Sequence, residues 1–240
     1  ASDVYKRQAY RDSRTESEIE EINSKISFET FYMRTGIQFQ PFNTVYQLYA
    51  DKKEGRLKGV STFLMMPEYF GYLLTGNMVK EYTDATTTGL VNCKTKQFDI
   101  DLIQTLGLPL QMFPSLNMPG TVVGKLNDNV AKEVGGQTTV KLCPSHDTAS
   151  AFYAVDNPDD SVLISSGTWA ILGAKIKEAN VSRDALRYNF ANEGGVGNFR
   201  FLKNITGMWI NVCLKNVFGR SFDEMTHLSL IHISEPTRQA

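Results

Sequence analysis

Polar and acidic positions dominate residues 16–23, with Ile19 and Ile22 three apart, which predicts a short helix with one solvated face. Ser27 is placed to cap a second helix running through Met33 and ending near Gly36. After a loop containing Pro41, Asn43 can cap a helix that carries Val45, Tyr46, Leu48 and Tyr49 and closes on Lys52, Lys53 and Gly55. Pro67 suits a first helical position, and Tyr69, Phe70, Leu73 and Leu74 are expected to form that helix's buried face before Gly76. Residues 81–89 read as a threonine-rich connection. Residues 99–107 read as a short helix, followed by a Pro/Met loop through Gly120.

From Thr138 the pattern changes to short β-rich runs between turns. Residues 139–143, 162–165 and 169–175 are predicted strands. The turn cluster Asn157-Pro158-Asp159-Asp160 is the expected domain boundary. Beyond it come a glycine-rich loop over 193–197 and a predicted helix over 205–218, with Ile205, Met208, Trp209 and Val212 on one face. A helical half followed by a strand-rich half predicts an α/β protein divided between two lobes.

Composition narrows the functional classes. A chain of 240 residues has room for one large domain or parts of two. A net charge of -1 gives no electrostatic footprint for nucleic acid or an anionic membrane. Cys93, Cys143 and Cys213 are scattered and odd in number, which predicts no disulfide framework and fits a reducing cytosol. The longest apolar run, 60–74, is too short for a bilayer and holds Pro67, Glu68 and Gly71. With no basic-then-apolar leader either, a cytoplasmic protein is expected.

Both ends read as foreign. One short DNA element, similar to a transposase sequencing adaptor, encodes residues 1–8 in one orientation and the start of 228–240 in the other. The natural part is expected to run from about Ala9 to His227 and to begin and stop mid-gene.

Chemistry concentrates in two stretches, Pro144-Ser145-His146-Asp147-Thr148-Ala149-Ser150 and Ser165-Ser166-Gly167-Thr168-Trp169. Other motifs fall short. Residues 120–126 look like a phosphate loop but are one residue short, with Leu126 where a metal-binding hydroxyl is needed. Ser145, His146 and Asp147 are the right types for a hydrolase triad, but neighbouring side chains diverge. Cys143 and His146 have no second pair of ligands for zinc, and no metal site is expected. Two readings of Asp147 stay open on spacing alone, a capped turn at a helix start or a general base beside a substrate hydroxyl. Likewise Gly167-Thr168 is either a plain hairpin turn or a backbone cradle for phosphate.

Beyond spacing, His146-Asp147-Thr148-Ala149-Ser150-Ala151, Ile164-Ser165-Ser166-Gly167-Thr168-Trp169, Asn192-Glu193-Gly194-Gly195 and the segment Arg200-Phe201-Leu202-Lys203-Asn204-Ile205-Thr206-Gly207-Met208-Trp209 together resemble the FGGY carbohydrate kinases. Upstream, Thr35-Gly36-Ile37-Gln38-Phe39, Met66-Pro67-Glu68-Tyr69 and Glu81-Tyr82-Thr83-Asp84-Ala85-Thr86 agree. The likeness covers nearly all of 9–218, and the Asn-Glu-Gly-Gly and Phe-Leu-Lys-Asn-Ile segments are similar to the rhamnulose-phosphorylating branch.

That resemblance implies an actin-like (ribonuclease H-like) ATPase fold. Residues 9–157 would be the latter part of the sugar-binding lobe and 158–227 the start of the nucleotide-binding lobe. It implies ATP-dependent phosphorylation of L-rhamnulose to L-rhamnulose 1-phosphate, with ATP and Mg²⁺ as cofactors. The alternatives are another ketose or polyol kinase (xylulose, fuculose, glycerol) and a non-catalytic sugar-binding relative. Asp147 matches the family's catalytic base and, with His146 and Thr148, its substrate-binding positions, Gly167 and Thr168 match the second phosphate turn, and Asn204 matches a nucleotide contact. Where the family carries a further nucleotide-contacting Gln, this chain has Val212. No Asp here has Gly two residues later, so the family's first phosphate motif is absent, as are its adenosine-binding glycines. The 240-residue chain is therefore expected to lack turnover that its parent possesses.

Overall fold

In a computed structural model, which describes residues 13–156, 161–166, 169–207, 209–219, 221, 223, 224 and 227, helices come first. A single 3-10 turn leads into α1 (Glu16–Lys25), α2 (Phe28–Thr35), α3 (Thr44–Lys53) and α4 (Met66–Thr75). Ser27 accepts the Thr30 N–H through its hydroxyl, and Gly36 ends α2 at φ 68°. Asn43 precedes α3 without capping it. Its Oδ1 accepts the Gln40 N–H and its Nδ2 donates to the Thr87 carbonyl.

The face expected to be buried on α4 is exposed. Phe70, Leu73 and Leu74 meet solvent, and the buried residue of this helix is Glu68. The Glu68 carboxylate accepts the Met65 N–H, closing its own helix, and accepts the Glu81 N–H at 3.0 Å. It also lies 3.2 Å from the ammonium of Lys80, with both side chains almost inaccessible. Lys80 donates as well to the Phe63 carbonyl and sits over the Phe63 ring. Burial pulls the Lys80 pKa down, and Glu68 opposes that pull. Depriving such a buried charge of its partner costs about 3–5 kcal/mol. The buried side of α4 is thus the one that carries Glu68, a partnership that apolar periodicity does not register.

The middle of the chain alternates short elements: β1 (Lys80–Glu81), α5 (Tyr82–Thr86), β2 (Val91–Asn92), β3 (Gln97–Phe98), α6 (Ile100–Thr105), β4 (Leu116–Asn117), β5 (Val122–Lys125), α7 (Asp128–Glu133), β6 (Thr139–Lys141) and α8 (Asp147–Ala154). β1 pairs in parallel with β4, whereas β2–β3 and β5–β6 are antiparallel pairs. The expected connection over 81–89 thus contains a helix, α5, capped by the Glu81 side chain and buried throughout. Asp99 caps α6 through the Leu102 N–H and is gripped by two guanidinium nitrogens of Arg34. Phe31, Tyr46, Tyr49, Tyr82, Leu102 and Leu106 belong to the core that these elements enclose.

Four strands follow: β7 (Leu163–Ser166), β8 (Trp169–Ile176), then, after α9 (Arg183–Arg187), β9 (Ala191–Gly194) and β10 (Phe199–Thr206); α10 (Trp209–Phe218) comes last. They form one sheet in the order β7-β8-β10-β9 with every pairing antiparallel. Two sequence expectations change here. Glu193 and Gly194 lie in a strand, not a loop, and Asn204 and Ile205 lie in β10, so the last helix begins at Trp209. β10 is held along its whole length by β8, from Phe199 opposite Ile176 to Thr206 opposite Trp169, and over 199–202 by β9 as well, and those bonds outweigh the helical spacing of 205–212.

β9 and the turn before it pack back onto the N-terminal helices. Tyr32 donates to the Phe190 carbonyl, Asn192 N–H to the Gly36 carbonyl, and Gly194 N–H to the Thr86 hydroxyl. A Cβ on Gly194 would stand 2.6 Å from the Tyr82 ring, so only glycine permits this approach. Among the described residues no helix is long and apolar enough to cross a membrane. The expected boundary at 157–160 and both expected foreign tails, 1–8 and 228–240 (Leu228 onward), lie outside the described residues.

Candidate active site

The site is built on Glu81, which is completely buried. One carboxylate oxygen accepts the Thr83 N–H at 2.8 Å. The other accepts the Thr83 hydroxyl, the Asp84 N–H and, across the fold, the Ser145 hydroxyl at 2.6 Å and the Ser145 N–H at 3.3 Å. One side chain thus caps α5 and fastens the loop that delivers residues 145–147. Ser150 donates back to the Pro144 carbonyl and closes the loop from its other end.

Asp147 is the first residue of α8 and its side chain is 96% exposed. Its Oδ1 accepts the Thr148 N–H at 2.6 Å and the Thr148 hydroxyl at 3.1 Å, while Oδ2 has no partner among the described residues. The carboxylate is therefore oriented on one oxygen and open on the other, as a proton acceptor for an incoming hydroxyl has to be. His146, the N-cap, makes no side-chain capping bond. Its Nδ1 instead meets Arg200 Nη1 at 3.1 Å. Ser145, His146 and Asp147 make their hydrogen bonds to three different partners, Glu81, Arg200 and Thr148.

Arg200 is wholly buried on β10. Its Nε donates to the Gly194 carbonyl at 3.0 Å, and its Nη2 lies 3.0 Å from Glu193 Oε2 in an ion pair without a directed hydrogen bond. Burial pulls the Arg200 pKa down, opposed by the carboxyl groups of Glu193, Asp147, Glu81 and Asp84 around it. Those carboxyls act on one another too. Burial first, then the charges of Glu68, Glu81, Glu193 and Asp147, push Asp84 up to about 7. An aspartate whose folded pKa exceeds its unfolded one takes up a proton on folding. Its contribution to stability is therefore greatest in acid and falls as pH rises from near 4 to about 7. Asp84→Asn should remove that slope. Urea denaturation of the variant is expected to show a gain of roughly 2–4 kcal/mol at about pH 8 and little change near pH 4. An equal effect at both pH values would show that Asp84 titrates as an ordinary aspartate.

Of the residues proposed from sequence, His146, Asp147 and Thr148 come together at the start of α8. Gly167 and Thr168 lie outside the described residues. Asn204 is half-buried on β10, opposite Ile171, which is itself opposite Ser165. It therefore lies near the end of the sheet where β7 stops at Ser166 and β8 starts at Trp169. Sequence reasoning gave no role to Glu81, Asp84, Glu193 or Arg200. A period-2 reading of 199–202 sets Phe199 and Phe201 on one face and Arg200 and Leu202 on the other, so spacing alone does not single out Arg200 as a buried cation.

Residues 2–153 match the pattern described as the FGGY family of carbohydrate kinases, N-terminal domain. The chain is 46% identical over 218 residues to a rhamnulokinase of Oceanobacillus iheyensis, covering 90% of this chain and 46% of that protein. It is also 46% identical over 226 residues to a rhamnulokinase of Halalkalibacterium halodurans, covering 92% of this chain and 48% of that one. The chain thus spans about half the length of the curated relatives it matches. Among solved structures, xylulose kinase from Rhodospirillum rubrum superposes with a TM-score of 0.78 at 19% identity, over 94% of this chain and 47% of that one. Plasmodium falciparum glycerol kinase with ADP gives a TM-score of 0.70 at 14% identity, over 89% of this chain and 45% of that one. These likenesses show that the chain shares the fold of those two proteins, as the sequence led one to expect. With its family pattern spanning more than half its length, the chain belongs to the FGGY family of carbohydrate kinases.

Proposed function

We propose that the whole protein transfers the γ-phosphoryl group of ATP to the primary hydroxyl of L-rhamnulose, giving L-rhamnulose 1-phosphate. The observation that carries this reading is the Asp147 carboxylate, anchored on one oxygen by Thr148 and open on the other. Asp147 is the general base; His146 and Thr148 contact the ketose. ATP supplies the phosphoryl group, with Mg²⁺ neutralising its oxygens. The protein's share is to position the hydroxyl and to accept its proton as the bond to phosphorus forms. Residues 9–157 contribute the sugar side. Residues 158–227 contribute the nucleotide side, including Gly167, Thr168 and Asn204.

The choice of L-rhamnulose rests on relatives that carry the name rhamnulokinase at 46% identity. A second reading, a kinase for xylulose or glycerol, is favoured by the structural likenesses. The two separate when the full-length protein is assayed for ATP-dependent ADP release on a panel of L-rhamnulose, L-fuculose, D-xylulose and glycerol. L-rhamnulose is expected to give the highest kcat/KM. A higher value with another acceptor overturns the assignment, and no release with any of them overturns the kinase reading.

A further inference from the structure

We infer that Arg200 is a positioning residue that holds His146 with its ring proton on Nε2, so that the histidine meets the sugar as a hydrogen-bond donor. The inference rests on the sugar site proposed above, but its test does not.

A guanidinium can only donate hydrogen bonds, so its 3.1 Å contact with Nδ1 requires a bare lone pair on that nitrogen. The proton of a neutral imidazole then resides on Nε2, which has no hydrogen-bond partner among the described residues. Two carboxylates compete for the opposite arrangement. Asp147 Oδ1 lies 3.7 Å from Nδ1 and Glu193 Oε2 lies 3.8 Å from it, and either would draw a proton onto Nδ1. Both are beyond hydrogen-bond reach, whereas the guanidinium is within it. Arg200 has no freedom to withdraw, because Nε is bound to the Gly194 carbonyl and Nη2 is paired with Glu193. A carboxylate beside a histidine commonly claims the Nδ1 proton; here the arginine from β10 holds the hydrogen-bond contact with Nδ1 and reverses the tautomer.

The consequence for recognition is directional. With its proton on Nε2, His146 selects an oxygen lone pair on the sugar and leaves proton acceptance to its neighbour Asp147. Two adjacent residues of one loop then perform opposite tasks on one substrate, and a residue from a distant strand keeps them apart.

The experiment uses the 240-residue chain labelled with nitrogen-15 in histidine, which has only His146, His227 and His232 to resolve. Long-range proton–nitrogen correlations distinguish the two ring nitrogens, and His146→Gln identifies the signals by their disappearance. At neutral pH the His146 ring should show a bare Nδ1 and a protonated Nε2. In Arg200→Met that preference should be lost, giving a tautomer mixture or an imidazolium. A proton on Nδ1 in the unmodified chain overturns the inference, and so does a bare Nδ1 that persists in Arg200→Met. Should the single variant fail to fold, Arg200→Met with Glu193→Gln removes the stranded carboxylate and keeps the comparison. A protein that phosphorylates no ketose would leave this spectrum unchanged, so the tautomer and the proposed activity fail independently.

Discussion

Asp147→Asn in the full-length protein should lower kcat by about 10² to 10⁴-fold while ketose binding persists. The substitution is close to isosteric, and the amide oxygen can still accept from the Thr148 N–H and hydroxyl, so the loop keeps its shape. An exposed side chain at the first position of α8 carries little of the fold's stability, and the change in unfolding free energy should stay within about 0.5 kcal/mol. The capacity to take a proton disappears, together with one negative charge that acts on Arg200 and Asp84. Steady-state kinetics and calorimetric titration with L-rhamnulose read the two effects separately. Undiminished turnover would mean that the hydroxyl proton leaves by another route. Lost binding would make Asp147 a sugar ligand in the first place, and a protein with no turnover to lose would be a sugar sensor.

What the sequence disclosed and what it hid divide along a physical line. Local signals were legible because their partners sit a few residues away. Ser27 caps α2, and Gly36 turns α2 off in the left-handed region. The trio His146, Asp147 and Thr148 was legible for the same reason, as one short segment. Signals whose partners lie far along the chain were not. Glu68 reads as an ordinary exposed helical residue until Lys80 and the Glu81 N–H are placed against it, on the side of α4 that is buried. Arg200 reads as a surface charge until β10 is known to lie between β8 and β9, whose Glu193 and Gly194 it bonds. The strand over 199–206 was itself obscured because Ile205 also fits a helical period with Trp209 and Val212. Sheet ladders, which no local pattern encodes, decided against that period.

The residue that best illustrates this hidden layer should also be the most costly to alter. Glu81→Gln preserves volume but exchanges one accepting oxygen for an amide that can only donate. Glu81 Oε1 serves the Thr83 N–H, and Oε2 serves Thr83, Asp84 and Ser145. Whichever way the amide is turned, at least one buried donor then faces another donor, and the remaining bonds lose the assistance of a full negative charge. A loss of about 2–4 kcal/mol is expected, read as a lower urea midpoint at unchanged slope in the 240-residue chain. The same change loosens Ser145, two residues before Asp147. A displacement near 1 Å at the reacting group can cost on the order of 10²-fold in rate, so kcat of the full-length protein should fall although Glu81 touches no substrate. Ser145→Ala separates the two effects. It leaves the α5 cap intact and removes only the hydroxyl tether, so it should cost about 1 kcal/mol of stability yet still reduce kcat. Wild-type turnover in Ser145→Ala would show that Glu81 supports the fold without aiming Asp147. Reduced turnover with a near-normal urea midpoint would establish the tether as the link between a buried cap and the base it serves.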